Sequence, residues 1–333
     1  MLVSDFKTLG LIGGVLLLLA IASAVAQILA RRSDSGLDRA IVDTFRRRVR
    51  SWWVLYALLA FAFFVHPTAT IVFFFFISFW ALREFITLTP TRPGDQRTLF
   101  WVFVVCTPAQ FVLVGLKQYE LYSILIPVYA FLLIPAGIAL SGDPKRFLER
   151  TAKIQSGLLI SVYCLSFAPA LLTLELPRLP SGYEDPYRHA RLLFFFVLMT
   201  QLSEALQYAW SQVPGRHPVV PSISPTRTWE GLFGGTASAM LLGGALWWAT
   251  PFQGSDWWMA AVMSGVISIM SFAGGLSMSA IKRDRGVHDY GTLVEGHGGV
   301  LDRIDSICFA APVFFHLTRL WANWAIAAQP PAT

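Results

Sequence analysis

Apolar runs of near-membrane length recur along the whole sequence, and they restrict the chain to few fold classes. About 20 consecutive apolar residues are what an α-helix needs to cross a lipid bilayer. Charged residues make up only 14% of the 333, whereas soluble domains average roughly 25%, so there is too little charge to cover a water-facing surface. We therefore predict an all-α, polytopic integral membrane protein.

The hydropathy pattern predicts about ten transmembrane helices. They cover residues 9–30, 52–66, 69–84, 98–116, 121–140, 156–175, 191–213, 232–250, 257–278 and 307–326. The first is predicted to be a retained helix rather than a removed signal peptide, because no convincing small-residue cleavage site follows it. The singletons His66 and Glu84 are interpreted as interfacial anchors.

Basic residues are distributed unevenly between the predicted loops. A basic run within residues 46–50 follows the first helix. Because short cytoplasmic loops are enriched in Lys and Arg, this loop is predicted to face the cytosol. Counting helices forward then places four more loops on the same side: 85–97, 141–155, 214–231 and 279–306. The net charge of +6 is explained by this topology and by contact with anionic lipid headgroups. Nucleic-acid binding is not expected, because there is no soluble basic domain.

One segment, KRDRGVHDYGTLVEGHGGVLDRID at residues 282–305, interrupts the apolar pattern with many charges. Asp302 and Asp305 are spaced so that both carboxylates share one helix face if the last helix starts early. Together with Asp289 they suit a hard divalent ion such as Mg²⁺, which usually shares its oxygen ligands with substrate phosphates.

The same segment also carries features of a phosphate site. Gly298 and Gly299 allow the backbone to approach a ligand closely and to present its N–H groups. Three basic residues can neutralise phosphate charge: Lys282, Arg283 and Arg303. This combination is typical of phosphoryl or nucleotidyl transfer. The alternative is an ordinary cytosolic loop whose carboxylates serve as counterions.

A second polar segment, SISPTRTWEGLFGG at residues 222–235, precedes an apolar run. Ser224 or Thr228 is predicted to cap a helix that begins at Trp229, and Glu230 suits its first turn. With Arg227 beside it, such a helix start is a candidate anion site. The alternative is a capped membrane helix whose glycines serve close packing.

The stretch SAIKRDRGVHDYGTLVEGHGGVLDRID resembles the signature of the phosphatidate cytidylyltransferases, also called CDP-diacylglycerol synthases. SPTRTWEG is similar to the SP-[KN]-K-TWEG segment of the same family, and TQLSEALQY and LREFITLTPTRPGDQRTLFW are similar to one bacterial branch. The resemblance covers roughly residues 50–325. It implies a helical membrane enzyme that joins CTP to phosphatidate and releases pyrophosphate. It also implies Mg²⁺, with room for a second, monovalent cation, a homodimer, and a bacterial inner membrane with the active site facing the cytosol.

The resemblance assigns roles to individual residues. It implies the catalytic residues Asp302, Asp305, Asp289, Lys282 and Arg283. It implies the substrate-binding residues Ser224, Arg227, Glu230, His297, Gly298, Gly299 and Arg303. Asp302 is the expected metal ligand, and the phosphatidate phosphate is expected to attack the α-phosphorus of CTP in line.

Departures from the family pattern concern the metal site. Where the family has a metal-binding Asp shortly before Ser279, this chain has Gly275. Arg227 and His288 each stand in place of a Lys. Glu204 lies inside a predicted helix, where an ionised side chain is costly unless it faces a polar cavity. We therefore hypothesise that Glu204 supplies a metal-binding carboxylate in compensation.

Two other interpretations stay open at this point. One is a diverged, weakly active or inactive paralogue that keeps lipid or nucleotide binding. The other is a membrane transporter, which Glu204 supports but which leaves the long signature unexplained. The expected organisation is an N-terminal helix and basic loop at 1–50, further transmembrane helices at 51–190, and a C-terminal catalytic region at 191–333.

Overall fold

The computed structural model describes residues 66–88, 91–178, 185–213, 217–252, 256–287, 290 and 299–329, with scattered positions before His66. The chain divides into two units, Met1–Pro67 and Thr68–Thr333. In the first unit, the described positions between Gly10 and Ile28 are helical, which agrees with the predicted helix at 9–30. The predicted helix at 52–66 lies almost wholly outside the described residues.

The second unit contains eight long helices and one β-hairpin among its described residues. The helices are α1 Pro67–Thr87, α2 Pro93–Gly115, α3 Tyr119–Ala139, α4 Phe147–Thr173, α5 Arg188–Trp210, α6 Trp229–Ala245, α7 Met259–Asp284 and α8 Leu301–Ala327. The antiparallel hairpin pairs β1 Pro218–Val220 with β2 Ser224–Thr228. It is a small addition to a fold predicted as wholly helical.

Six of these helices, α1 to α5 and α7, are long and apolar enough to cross a membrane. Large apolar side chains such as Leu132, Leu241 and Trp324 are exposed on the outside, where lipid replaces water. The predicted class, an all-α polytopic membrane protein, is confirmed. Helix α8 starts at Leu301, six positions before the predicted span at 307–326, so Asp302 and Asp305 both belong to it.

Helix α7 packs against α5, α6 and α8, and α5 also packs against α6 and α8. A methyl group added at Gly243 of α6 would overlap Ser264 of α7. One added at Gly235 would lie 2.8 Å from the backbone of Gln207 on α5. Small residues allow helices to approach closely inside a membrane, so the glycines of α6 serve packing, as one of the two interpretations of this segment held.

Contacts connect the loops that were predicted to share the cytosolic side. The Arg150 Nε donates to Asp95 Oδ1 at 2.8 Å in a buried ion pair between the start of α4 and the start of α2. Arg285 lies 3.8 Å from Glu149 of α4, and Arg283 Nε donates to the Ile223 carbonyl at 3.4 Å. The hairpin and the two polar segments therefore meet at one end of the helices.

Candidate functional site

Asp302 in the first turn of α8 holds together the ends of the signature segment. Its Oδ1 accepts a hydrogen bond from Lys282 Nζ at 2.8 Å. Its Oδ2 accepts from the backbone N–H of Tyr290 at 2.7 Å and of Gly299 at 3.0 Å. A carboxylate is favourable at this position because the start of a helix carries partial positive charge. Asp302 thus fixes Lys282, Tyr290 and Gly299 relative to α8.

Tyr290, which the sequence analysis did not select, contacts α7, α1 and Lys282. Its hydroxyl donates to the Met278 carbonyl at 2.9 Å, and its ring stacks on Phe85 of α1 with centroids 6.4 Å apart. The Lys282 ammonium lies 5.5 Å from the centre of the same ring. Burial raises the pKa of Tyr290 well above its ordinary value, so the phenol stays protonated and serves as a hydrogen-bond donor.

Glu84 of α1 is a second residue that was missed, and its interpretation as an interfacial anchor was wrong. Its side chain is buried, and its two oxygens accept from the backbone N–H groups of Val300 at 3.0 Å and Leu301 at 2.8 Å. The indole of Trp80 also donates to it at 3.2 Å. Glu84 therefore caps the helix that carries Asp302. The available signal was an ionisable residue inside an apolar run, which in membranes points to function or pairing.

A second acidic group lies between α5 and α8. The Ser306 hydroxyl donates to Glu204 Oε1 and lies 3.3 Å from Asp305 Oδ1, to which the Ser306 backbone N–H also donates at 2.7 Å. The hypothesis that Glu204 faces a polar environment thus agrees with its contacts. The structure joins Glu204 to Asp305, whereas Asp302 is joined to Lys282. That any of these acids binds a metal stays a prediction.

Arg227, at the end of β2, reaches the face of α7 that Gly275 leaves open. Its Nη1 donates to the Phe272 carbonyl at 3.2 Å, and its guanidinium lies over the Phe272 ring at 5.2 Å. A Cβ atom added at Gly275 would lie 2.5 Å from the Arg227 Cζ, which is an overlap. Asp305 of α8 packs against the same stretch of α7, because a Cβ added at the neighbouring Gly274 would lie 3.1 Å from the Asp305 carbonyl oxygen.

The hairpin and the start of α6 have their own hydrogen bonds. Thr228 is the N-cap, as predicted, with its Oγ1 accepting from the Gly231 N–H at 3.0 Å. Ser224 is not the cap, and its hydroxyl lies 3.4 Å from that of Thr226. Glu230 accepts from His217 Nδ1 at 2.5 Å and from the His217 N–H at 3.1 Å. These bonds lower the pKa of Glu230 to about 2, because they favour the ionised carboxylate.

The other predicted site residues divide into two groups. Asp289, His297 and Gly298 lie outside the described residues, as does His288. Arg303 lies in the first turn of α8, and its N–H donates to the Val300 carbonyl at 3.0 Å. Within the described ranges, no group of three or more His, Cys, Asp or Glu side chains is arranged to hold a metal ion.

Comparison with known proteins gives a consistent result. Residues 46–321 match the model of the cytidylyltransferase family. The uncharacterized protein YnbB of Escherichia coli is 38% identical over 276 residues, which is 82% of this chain and 86% of that protein. The phosphatidate cytidylyltransferase of Mycobacterium leprae is 34% identical over 139 residues, 40% of this chain and 43% of that one.

The enzyme of the same name from Staphylococcus epidermidis is 33% identical over 131 residues, 39% of this chain and 50% of that one. The chain thus spans about half the length of the named phosphatidate cytidylyltransferases that it matches. The family model, by contrast, covers most of the sequence and includes every element of the site described above. This integral membrane protein belongs to the cytidylyltransferase family.

Proposed function

We propose that the protein transfers a cytidylyl group from CTP to phosphatidate, forming CDP-diacylglycerol and releasing pyrophosphate. The observation that carries the proposal is the bonding of Asp302, which holds Lys282, Tyr290 and Gly299 at the start of α8. This places a lysine and two backbone positions of the signature segment at one fixed point. The relatives named phosphatidate cytidylyltransferase support the choice of substrates.

Among the described residues, side chains rather than the starts of α8 and α6 are left to bind the phosphates. At α8 the N–H groups of residues 299, 300 and 301 already donate to Asp302 and Glu84. At α6 the Gly231 N–H already donates to Thr228. The triphosphate charge therefore falls to Lys282 and Arg227, whose cationic groups match phosphate oxygens.

The reaction needs little covalent chemistry from the protein. A phosphate oxygen of phosphatidate forms a bond to the α-phosphorus of CTP, and the bond from that phosphorus to the β-phosphate oxygen breaks as pyrophosphate leaves. Catalysis of this kind rests on positioning and on stabilising charge. Lys282, held by Asp302, would neutralise charge that develops on the phosphate oxygens during the transfer.

The residues present fit Mg²⁺ as a cofactor. Glu204 and Asp305 offer carboxylates and Ser306 a hydroxyl, and Mg²⁺ is commonly held by one or two carboxylates together with substrate phosphates and water. These residues would hold the ion, which supplies positive charge opposite the triphosphate. We place the site at the cytosolic face of a bacterial inner membrane, where CTP meets a lipid substrate, and the homodimer stays a prediction.

The test is formation of CDP-diacylglycerol by the purified, detergent-solubilised protein from labelled CTP, phosphatidate and Mg²⁺. We expect product from the native protein, loss of about 100-fold or more in Asp302→Asn, and little change in Asp284→Asn. Asp284 is a matched control because it lies in the same segment, is largely exposed and pairs with Arg285. No product from the native protein would refute the proposal.

The inactive-paralogue interpretation has one observation in its favour. The Arg227 guanidinium lies where a side chain at position 275 would have to be, so the acid of the family pattern has no space in this arrangement. Gly275→Asp belongs in the same assay for this reason. Product from Gly275→Asp together with none from the native protein would establish a family member that has lost its chemistry.

A further inference from the structure

Arg227 and Gly275 occupy complementary volumes. With an added Cβ at position 275 only 2.5 Å from the Arg227 Cζ, any side chain there would displace the guanidinium. The guanidinium is the far end of a flexible side chain, so displacement, rather than unfolding, is the expected response. The absence of a side chain at 275 is therefore the condition for Arg227 to lie against α7.

Two contacts on α7 hold the guanidinium in this place. Phe272 lies one turn before Gly275 on the same helix face, and both its carbonyl and its ring contact Arg227. Within the described residues, the hydrogen bond from Nη1 to Phe272 is the one that the guanidinium makes. Because a guanidinium has five N–H donors, the described part of the chain leaves most of them for a ligand.

An acidic pair lies beside this part of α7. Asp305 of α8 packs against Gly274, the neighbour of Gly275, because a Cβ added there would lie 3.1 Å from the Asp305 carbonyl oxygen, and Asp305 is linked to Glu204 through Ser306. A triphosphate approaching two carboxylates is repelled unless positive charge lies between them. The Arg227 guanidinium is held by the Phe272 carbonyl, so its positive charge removes part of this repulsion before a metal ion binds from solution.

We propose that Arg227 and Gly275 form a matched pair, in which the missing side chain at 275 admits the Arg227 guanidinium to the Glu204–Asp305 centre as a built-in cation for the nucleotide phosphates. This rests on the proposed function, because it takes CTP as the ligand. Its consequence is specific: the native protein binds CTP in the absence of divalent ions, and this binding depends on both residues of the pair.

The experiment is equilibrium binding of labelled CTP to the full-length protein in detergent, with EDTA or with Mg²⁺. In EDTA we expect Arg227→Gln to weaken binding by about tenfold or more, since a charge-assisted contact is lost. We expect Gly275→Ala to weaken it similarly by displacing the guanidinium. Gly115→Ala is the matched control, since that helix glycine meets only Ile71 at an ordinary 3.9 Å.

Arg227→Lys keeps the positive charge but removes the planar guanidinium, so it separates the effect of charge on CTP binding from the effect of side-chain shape. Binding reduced in Arg227→Gln but retained in Arg227→Lys and Gly275→Ala would overturn the matched pair, since charge alone would then suffice. Equal metal-free binding by the native protein and Arg227→Gln would also overturn it, as would no metal-free binding by the native protein.

A second measurement keeps the inference independent of folding and of catalysis. Binding of Mn²⁺, followed by its electron paramagnetic resonance signal, should tighten about tenfold or more in Gly275→Asp combined with Arg227→Lys, because a carboxylate then replaces the guanidinium. Unchanged Mn²⁺ affinity would contradict the inference. If the native protein forms no CDP-diacylglycerol but shows the predicted CTP-binding pattern, the proposed function fails and the matched pair stands.

Discussion

Replacing Glu84 by Gln tests whether α1 positions the helix that carries Asp302. The Glu84 carboxylate accepts from Val300 and Leu301, two of the N–H groups that have no partner within α8 itself. An amide has one acceptor oxygen, so Gln can keep one of these two bonds. Its NH₂ group would then face the other N–H, and two donors would oppose each other in a buried place.

The size of the effect follows from these contacts. Leaving a buried N–H unsatisfied costs about 1–3 kcal/mol, and loss of the negative charge at a helix start costs about 0.3–1 kcal/mol more. We expect Glu84→Gln to lower the free energy of unfolding by about 2 kcal/mol, and Glu84→Ala, which removes both bonds, by about 4 kcal/mol. Glu84→Asp should lie between these values because its shorter side chain retains the charge but not the reach.

Two measurements check this prediction. Unfolding by sodium dodecyl sulfate in mixed micelles gives the free energies, and hydrogen exchange of peptides from the start of α8 reports on the Val300 and Leu301 amides directly. Glu120→Gln is the matched control, since the Glu120 carboxylate also lies at the start of a helix, here α3, but is exposed. Equal stability and equal exchange in Glu84→Gln and Glu120→Gln would refute the capping role.

Three further predictions concern other groups. Arg150→Leu should lower the free energy of unfolding by about 3–5 kcal/mol, because it leaves the buried Asp95 carboxylate without its partner, as denaturant titration would show. Glu204→Gln should abolish metal-dependent formation of CDP-diacylglycerol, and unchanged activity would contradict the hypothesis that Glu204 binds the metal ion. The hydrogen bond from Arg92 holds the pKa of Asp143 below its ordinary value, so its stabilisation is full above about pH 3.9 and is lost as the pH falls through the folded-state pKa. Thermal unfolding of Asp143→Asn should therefore depend less on pH below about 4 than that of the native protein.

The sequence was informative wherever function depends on residues close together in the chain. The early start of α8 was the condition under which Asp302 and Asp305 share a helix, and the acid Asp302 in its first turn favours that start. The Thr228 cap and the helix beginning at Trp229 follow from the same local rules. Membrane class follows from the apolar runs, because a bilayer leaves helices as the main way to satisfy the backbone.

Contacts between distant elements were not predictable in this way. Glu84 and Val300 lie 216 positions apart, and nothing in their local sequences pairs them. The fit of Arg227 against Gly275 depends on how the hairpin approaches α7, which hydropathy does not encode. Glu204 was selected for being an acid in mid-helix, yet its link to Asp305 depends on the relative rotation of α5 and α8.

These long-range contacts also bear on what the known relatives can support. A match of 139 residues is too short to include both Glu84 and Val300, because 216 positions separate them. The named phosphatidate cytidylyltransferases are therefore similar to one part of the chain, whereas the capped start of α8 requires α1 as well. The predicted regions 51–190 and 191–333 accordingly share one site. Activity has to be measured on the intact chain, since a C-terminal fragment would lack the carboxylate that fixes the helix carrying Asp302.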